Sequence, residues 1–116
     1  MDEVVRKVAT LGLPGVLLVV TMAATGFAGA AAMTTALAAL GGPFGMIGGI
    51  TVLGIAGLVA DALSKYGIDG LLTGIYLKRK NKEPKEKLCK EINDLPISSD
   101  MKRKLREVIG CNDNNL

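Results

Sequence analysis

The 116-residue chain has no histidine, and its only cysteines are Cys89 and Cys111. Without histidine neither a Ser-His-Asp triad nor a Cys-His dyad can be built. Two cysteines leave no complete structural zinc set. The glycines between Gly41 and Gly49 lack the Lys-Ser/Thr end that a phosphate-cradling loop requires. The expectation is therefore a protein that is not an enzyme, with no catalytic residues, no cofactor and no metal. Charge is missing on a larger scale: the 53 residues from Val8 to Ala60 contain no Asp, Glu, Lys or Arg.

What fills that stretch is Gly, Ala, Thr and aliphatic residues. A membrane-crossing helix needs about 20 apolar residues, so the run is long enough for two, and Gly41-Gly42-Pro43-Phe44-Gly45 supplies a helix break between them. The pattern predicts an all-α fold: an integral membrane helical hairpin of two transmembrane helices with a cytoplasmic amphipathic helical tail, assembled as an oligomer. Four segments are expected. Residues 1–10 form an amphipathic N-terminal entry with Val4, Val5 and Val8 on one side, lying on the membrane surface. Residues 11–66 form the hairpin, turning near 41–45. Residues 67–83 are an interfacial, basic juxtamembrane segment, and residues 84–116 a helical hairpin tail. Asp2 and Glu3 spoil the positive n-region of a cleaved signal peptide, which is not expected.

Charge outside the run sets the expected topology. Arg6 and Lys7 precede it, Lys78, Arg79, Lys80 and Lys82 follow it, and from Lys78 to Leu116 eleven Lys or Arg face seven Asp or Glu. By the positive-inside rule the chain is expected in the inner (plasma) membrane, multi-pass, with both termini cytoplasmic. Reduced thiols at Cys89 and Cys111 follow from that placement. The basic run Lys78, Arg79, Lys80 and Lys82 is the expected site for anionic lipid head groups. No aromatic interleaving or binding module supports nucleic acid as a partner.

Several polar residues near the spans have two readings. Thr21, Thr25 and Thr35 join small residues at helical spacing, either as a packing face or as a wet pore lining. Asp61, Lys65 and Asp69 stand at i, i+4 and i+8 and form one ladder on a continuous helix. That ladder is either a salt-bridge row or a charged ring at a pore mouth. Gly45, Gly49, Ala56 and Ala60 mark a close-packing helix face. Helices so poor in bulky side chains pack best against further copies, so self-association is expected. In the tail, Leu88, Ile92 and Leu95 recur at helical spacing. Ser98 or Ser99 is placed to cap a last helix with Met101, Leu105, Val108 and Ile109 on its apolar face, stopped by Gly110.

The layout around Ala38-Ala39-Leu40-Gly41-Gly42-Pro43-Phe44-Gly45-Met46-Ile47-Gly48-Gly49, followed by a Lys-rich helical tail, resembles small Gly/Ala-rich membrane effectors of bacterial antiphage defence systems. That resemblance implies an oligomer that depolarises a membrane and carries no functional residue over. The leading expected function is a homo-oligomeric ion channel or pore. The alternatives are a non-conducting scaffold or accessory subunit that recruits a soluble partner through its basic tail, and a membrane-active toxin or immunity peptide.

Overall fold

The computed structural model describes residues 2–25 and 49–111, and among them every regular element is an α-helix. There are five: α1 (Asp2–Leu11), α2 (Leu13–Thr25), α3 (Gly49–Lys80), α4 (Lys85–Asp94) and α5 (Ser99–Ile109). The long α3 is the spine, since each of the other four helices packs against it.

The amphipathic helix α1 starts with Asp2 and Glu3 in its first turn, where carboxylates complement the positive helix end. It buries Val4, Val5 and Val8 on one face. Those valines meet protein, chiefly α3, where the sequence suggested a lipid surface. Gly12 ends the helix with φ 70°, a left-handed conformation that glycine adopts without a Cβ clash, and its N–H donates to the Ala9 carbonyl over 3.1 Å. The chain then turns into α2, whose Gly15 lies so close to α1 that a Cβ there would stand 2.6 Å from the Val8 carbonyl oxygen.

The spine has 32 residues but is not one rod. Gly67 sits inside it at φ 74° and ψ 170°, a backbone region essentially reserved for glycine, and divides α3 into two limbs. The second limb buries Leu71, Leu72, Ile75 and Tyr76. On it rests the hairpin of α4 and α5, which faces Leu88, Cys89 and Ile92 towards Met101, Leu105 and Ile109. Ser98 caps α5 by accepting from the Met101 N–H at 3.1 Å. At its other end Gly110 takes φ 87° and donates to the Arg106 and Glu107 carbonyls, while the Cys111 N–H reaches Arg106 at 2.8 Å. That turn brings Cys111 back onto α4, where it is bonded to Cys89, with the Cα atoms 6.0 Å apart. The expected pair of reduced thiols is thereby corrected: a disulfide closes the hairpin.

The membrane placement is corrected as well. Among the described residues no helix is long and apolar enough to cross a membrane. With 13 residues α2 rises only about 20 Å against a hydrocarbon core of about 30 Å. In α3 the apolar stretch runs into Asp61, Lys65 and the break at Gly67. Two transmembrane helices, and with them a multi-pass inner-membrane location with both termini cytoplasmic, are not what these helices form. Apolar length was the misleading quantity. Val16, Leu18, Val19, Val20, Met22, Ile55 and Val59 are buried in a core built with α1 and the charged tail. The turn at 41–45, with Thr35 and Gly45, lies outside the described residues.

Two glycines of α3 separate backbone need from mere presence. Replacing Gly67 by Ala is expected to destabilise the protein by about 1–3 kcal/mol, because a Cβ is strained at its φ and ψ. Gly57→Ala, in a helical position with open space around the new Cβ, is expected to stabilise by about 0.5–1 kcal/mol. Urea unfolding followed by circular dichroism reads both; equal effects would mean that the break at Gly67 is not required.

Candidate functional site: a buried arginine and the surfaces on either side of it

Arg79 is the one charged residue buried among the described residues, with 2% of its surface exposed. It is brought inside by the last turn of α3 and met by carboxylates from two other places. Its Nε donates to Glu83 Oε2 at 2.5 Å and its Nη2 to Glu83 Oε1 at 3.0 Å. From α4, Glu91 accepts from Nη1 through Oε2 and from Nη2 through Oε1 at 2.9 Å. The guanidinium lies over the Tyr76 ring, 5.3 Å from its centre, and the Tyr76 hydroxyl donates to Glu91 Oε2 at 2.6 Å. Lys87 donates to Glu83 at 2.9 Å, so two cations balance two carboxylates. No buried side-chain nitrogen or oxygen among the described residues is left without a partner.

The electrostatics follow from these contacts. Burial opposes the charge of Arg79, but the hydrogen bonds to Glu83 and Glu91 outweigh it and hold the group above its ordinary pKa. The hydrogen bonds from Arg79, against a smaller effect of burial, hold the Glu83 carboxyl down to about 2. Burial pushes the Tyr76 hydroxyl up, and the Glu91 carboxylate adds to it. Arg79, Glu83 and Tyr76 therefore each keep one protonation state across the physiological range. They form a structural anchor with no poised acid or base.

The anchor is the common wall of two surfaces. On one side, α2 and α4 both lean on α3 and scarcely touch each other. A groove of about 400 Å³ opens between them, lined by Leu13 and Leu17 of α2, by Leu95 and Pro96, and by Lys87, Lys90, Glu91 and Asp94 of α4. A second groove of about 290 Å³ shares Pro96 and continues along α2 past Val20, Ala23 and Ala24 to Ile97 and Met101. Leu13, Leu17, Val20 and Ala24 stand at i, i+4, i+7 and i+11, so the strip follows a single face of α2 for about 16 Å. Leu13 is 38% exposed there. On the other side of the anchor, Arg79 and Glu83 border a small cleft with Arg6, Ala9, Thr10, Lys78 and Lys82.

The residues singled out from sequence are dispersed. Asp61 and Lys65 pair with each other at 3.2 Å on an exposed face. Asp69 turns away to Lys104 of α5 at 3.0 Å, because the break at Gly67 interrupts the helix on which a three-residue ladder depends. Thr21 is half-buried and Ala60 packs against the core. The side chains of Thr25 and Ala56 lie outside those described, and Gly49 opens α3. Of the basic run, Lys78, Lys80 and Lys82 are exposed, whereas Arg79 is consumed by the network and cannot serve a lipid head group. Sequence reasoning missed Glu83, Glu91 and Tyr76 as its partners. The i, i+4 spacing of Arg79 and Glu83 was a usable signal; Glu91, twelve residues away on another helix, offered none.

The chain has no match among protein-family models, curated proteins or solved structures. The likeness to antiphage membrane effectors therefore rests on layout alone.

Removing one partner of this network leaves a buried charge uncompensated. Arg79→Ala is expected to cost about 3–5 kcal/mol in urea unfolding, and Lys80→Ala, on the exposed neighbour, within about 0.5 kcal/mol of zero. A cost for Arg79→Ala no larger than for Lys80→Ala would show that the network contributes nothing. The lowered Glu83 pKa fixes a direction with pH: its contribution is complete above the ordinary carboxylate value of 4.5 and is lost as pH falls towards about 2. Acid unfolding of Glu83→Gln is expected to show lower stability at neutral pH and a shallower decline between pH 4.5 and 2 than wild type. Parallel acid profiles would remove Glu83 from the account.

Proposed function

We propose that the chain is a non-catalytic accessory or scaffold protein that docks a helix of a partner protein in the groove between α2 and α4. The apolar strip along α2 carries this reading. A strip three turns long with side chains at i, i+4, i+7 and i+11, between walls supplied by other helices, has the form of a helix-in-groove recognition surface. Its charge supports one kind of occupant. On the α4 rim Glu91 is already spent on Arg79 and Tyr76 and Lys87 on Glu83, which leaves Lys90 and Asp94, neither with an ion-pair partner among the described residues. The chain from Lys78 onward also carries a cationic excess. The favoured partner is an amphipathic helix with an apolar face and an acidic flank.

A conducting oligomer draws no comparable support. Its candidate charges Asp61 and Lys65 neutralise each other, and Asp69 is engaged with α5. The groove needs neither a membrane nor a ring of copies.

The test uses the full chain and a fluorescent 18-residue helical peptide, with leucines at i, i+4, i+7 and i+11 and glutamates on the flank. Its counterpart carries lysines in place of the glutamates. The acidic peptide is expected to bind at least about tenfold more tightly than the basic one, and Leu13→Glu, at an exposed position, to weaken it by about tenfold or more. Equal binding of both peptides, or binding untouched by Leu13→Glu, would overturn the proposal. A Leu13-dependent dimer that excludes the peptide would overturn it in favour of a second copy as occupant.

A further inference from the structure

Opposite the groove, the cleft between α1 and the end of α3 is a different kind of place. It is lined by Arg6 and Thr10, one turn apart on α1, by Lys78 of α3, and by Lys82 and Glu83 of the connection to α4, with Arg79 at its back. Its volume of about 50 Å³ is room for about two water molecules, or for one tetrahedral oxyanion. Four cations surround it against one carboxylate, and that carboxylate is already occupied by Arg79 and Lys87. The side chains of Arg6, Lys78 and Lys82 have no ion-pair partner among the described residues, a state they share with Lys80, Lys85, Lys90, Lys102 and Arg106, none of which lines the cleft. The Thr10 hydroxyl donates to the Arg6 carbonyl at 2.8 Å, which fixes it as part of the wall.

Three cations without an ion-pair partner, from two helices and a connection, line one small space whose only carboxylate is already paired. Like charges brought together in this way repel, and the fold gains from an anion that enters. The geometry points to a binding site for a phosphate monoester group held by Arg6, Lys78 and Lys82. Arg6 supplies the planar fork suited to two oxygens of a tetrahedral anion, and the lysines supply point charges. The double negative charge of a monoester matches the cationic excess better than the single charge of a carboxylate or phosphodiester. The small volume admits the phosphate and leaves the rest of the ligand outside.

The source of the group, a free phosphate compound or a lipid head group, is separated by two arms of one experiment on the full chain. In the first, inorganic phosphate is titrated calorimetrically against chloride at matched ionic strength. In the second, co-sedimentation is measured with phosphatidylcholine vesicles containing either phosphatidic acid, a monoester, or phosphatidylglycerol, a diester. The variants are Arg6→Ala with Lys82→Ala, both exposed, and Lys80→Ala, an exposed cation of the same run that does not line the cleft. The expected result is saturable binding in at least one arm, weakened about tenfold or more by the double variant and unchanged in Lys80→Ala. Binding of inorganic phosphate assigns the free compound, and binding confined to phosphatidic acid vesicles assigns the head group. Equal weakening by Lys80→Ala, equal affinity for phosphatidylglycerol, or no binding in either arm would overturn the proposal. Circular dichroism of each variant checks that the helices are intact.

Discussion

Everything in the second half of the molecule depends on keeping the Arg79 guanidinium charged in a place that water does not reach. Desolvating an ion costs several kcal/mol even after the surroundings relax. Here that cost is offset by geometry: four N–H···O bonds to two carboxylates, an aromatic face beneath, and a tyrosine hydroxyl that also donates to Glu91 Oε2. Those partners are tolerant of nothing else. Glu83 must come round on the connection after α3, and Glu91 must be one particular turn of α4. The network therefore specifies the register of α4 on α3 more sharply than the apolar contacts of Leu88 and Ile92, which sliding would largely preserve.

The disulfide and the arginine network divide the work. Bonding Cys89 to Cys111 closes a loop with 22 residues of separation, which restricts the unfolded chain by about 3 kcal/mol in the loop-entropy description. It holds α4 to α5. The network holds α4 to α3, and the Lys104–Asp69 pair adds an exposed and correspondingly weak tie from α5 to the same limb. A hairpin of 10 and 11 residues is too small for a stable core by itself, so attachment at both levels keeps it ordered.

Local chemistry was legible in the sequence, and partnership was not. The Ser98 cap, the Gly110 stop and the apolar faces of α4 and α5 depend on residues within a turn or two of one another. The break at Gly67 was not legible in this way, since the spacing of Asp61, Lys65 and Asp69 suggested a continuous helix through it. The uncharged run from Val8 to Ala60 says only that its side chains avoid water. A lipid chain and a protein core satisfy that demand equally, and the choice turned on whether α1 and the charged tail fold over it. Val4, Val5 and Val8 carry the same ambiguity: an amphipathic helix has the same pattern on a bilayer as on α3. Tyr76 carries no sign of its partner in the sequence, since the Glu91 that accepts from its hydroxyl stands fifteen positions away on another helix. At the candidate surfaces, the basic run was visible but its division was not. Arg79 points inward to its carboxylates, and Lys78 and Lys82 join Arg6 from a helix some seventy positions earlier.

The groove and the cleft share this network as a wall, since Glu91 faces the first while Arg79 and Glu83 border the second. A fully satisfied ionic network resists deformation, because moving any member strands a buried charge. The two surfaces are thus held by a rigid partition and present fixed shapes, which lowers the ordering cost of whatever binds to either. The same partition keeps their charges distinct. By engaging Glu83, Arg79 leaves Arg6, Lys78 and Lys82 at the cleft without a competing free carboxylate, while on the groove side it takes up Glu91 and leaves Lys90 and Asp94 on the rim. One buried cation thus leaves the exposed cations of the cleft free to act, and the cationic character of that surface rests on a residue with 2% of its own surface exposed.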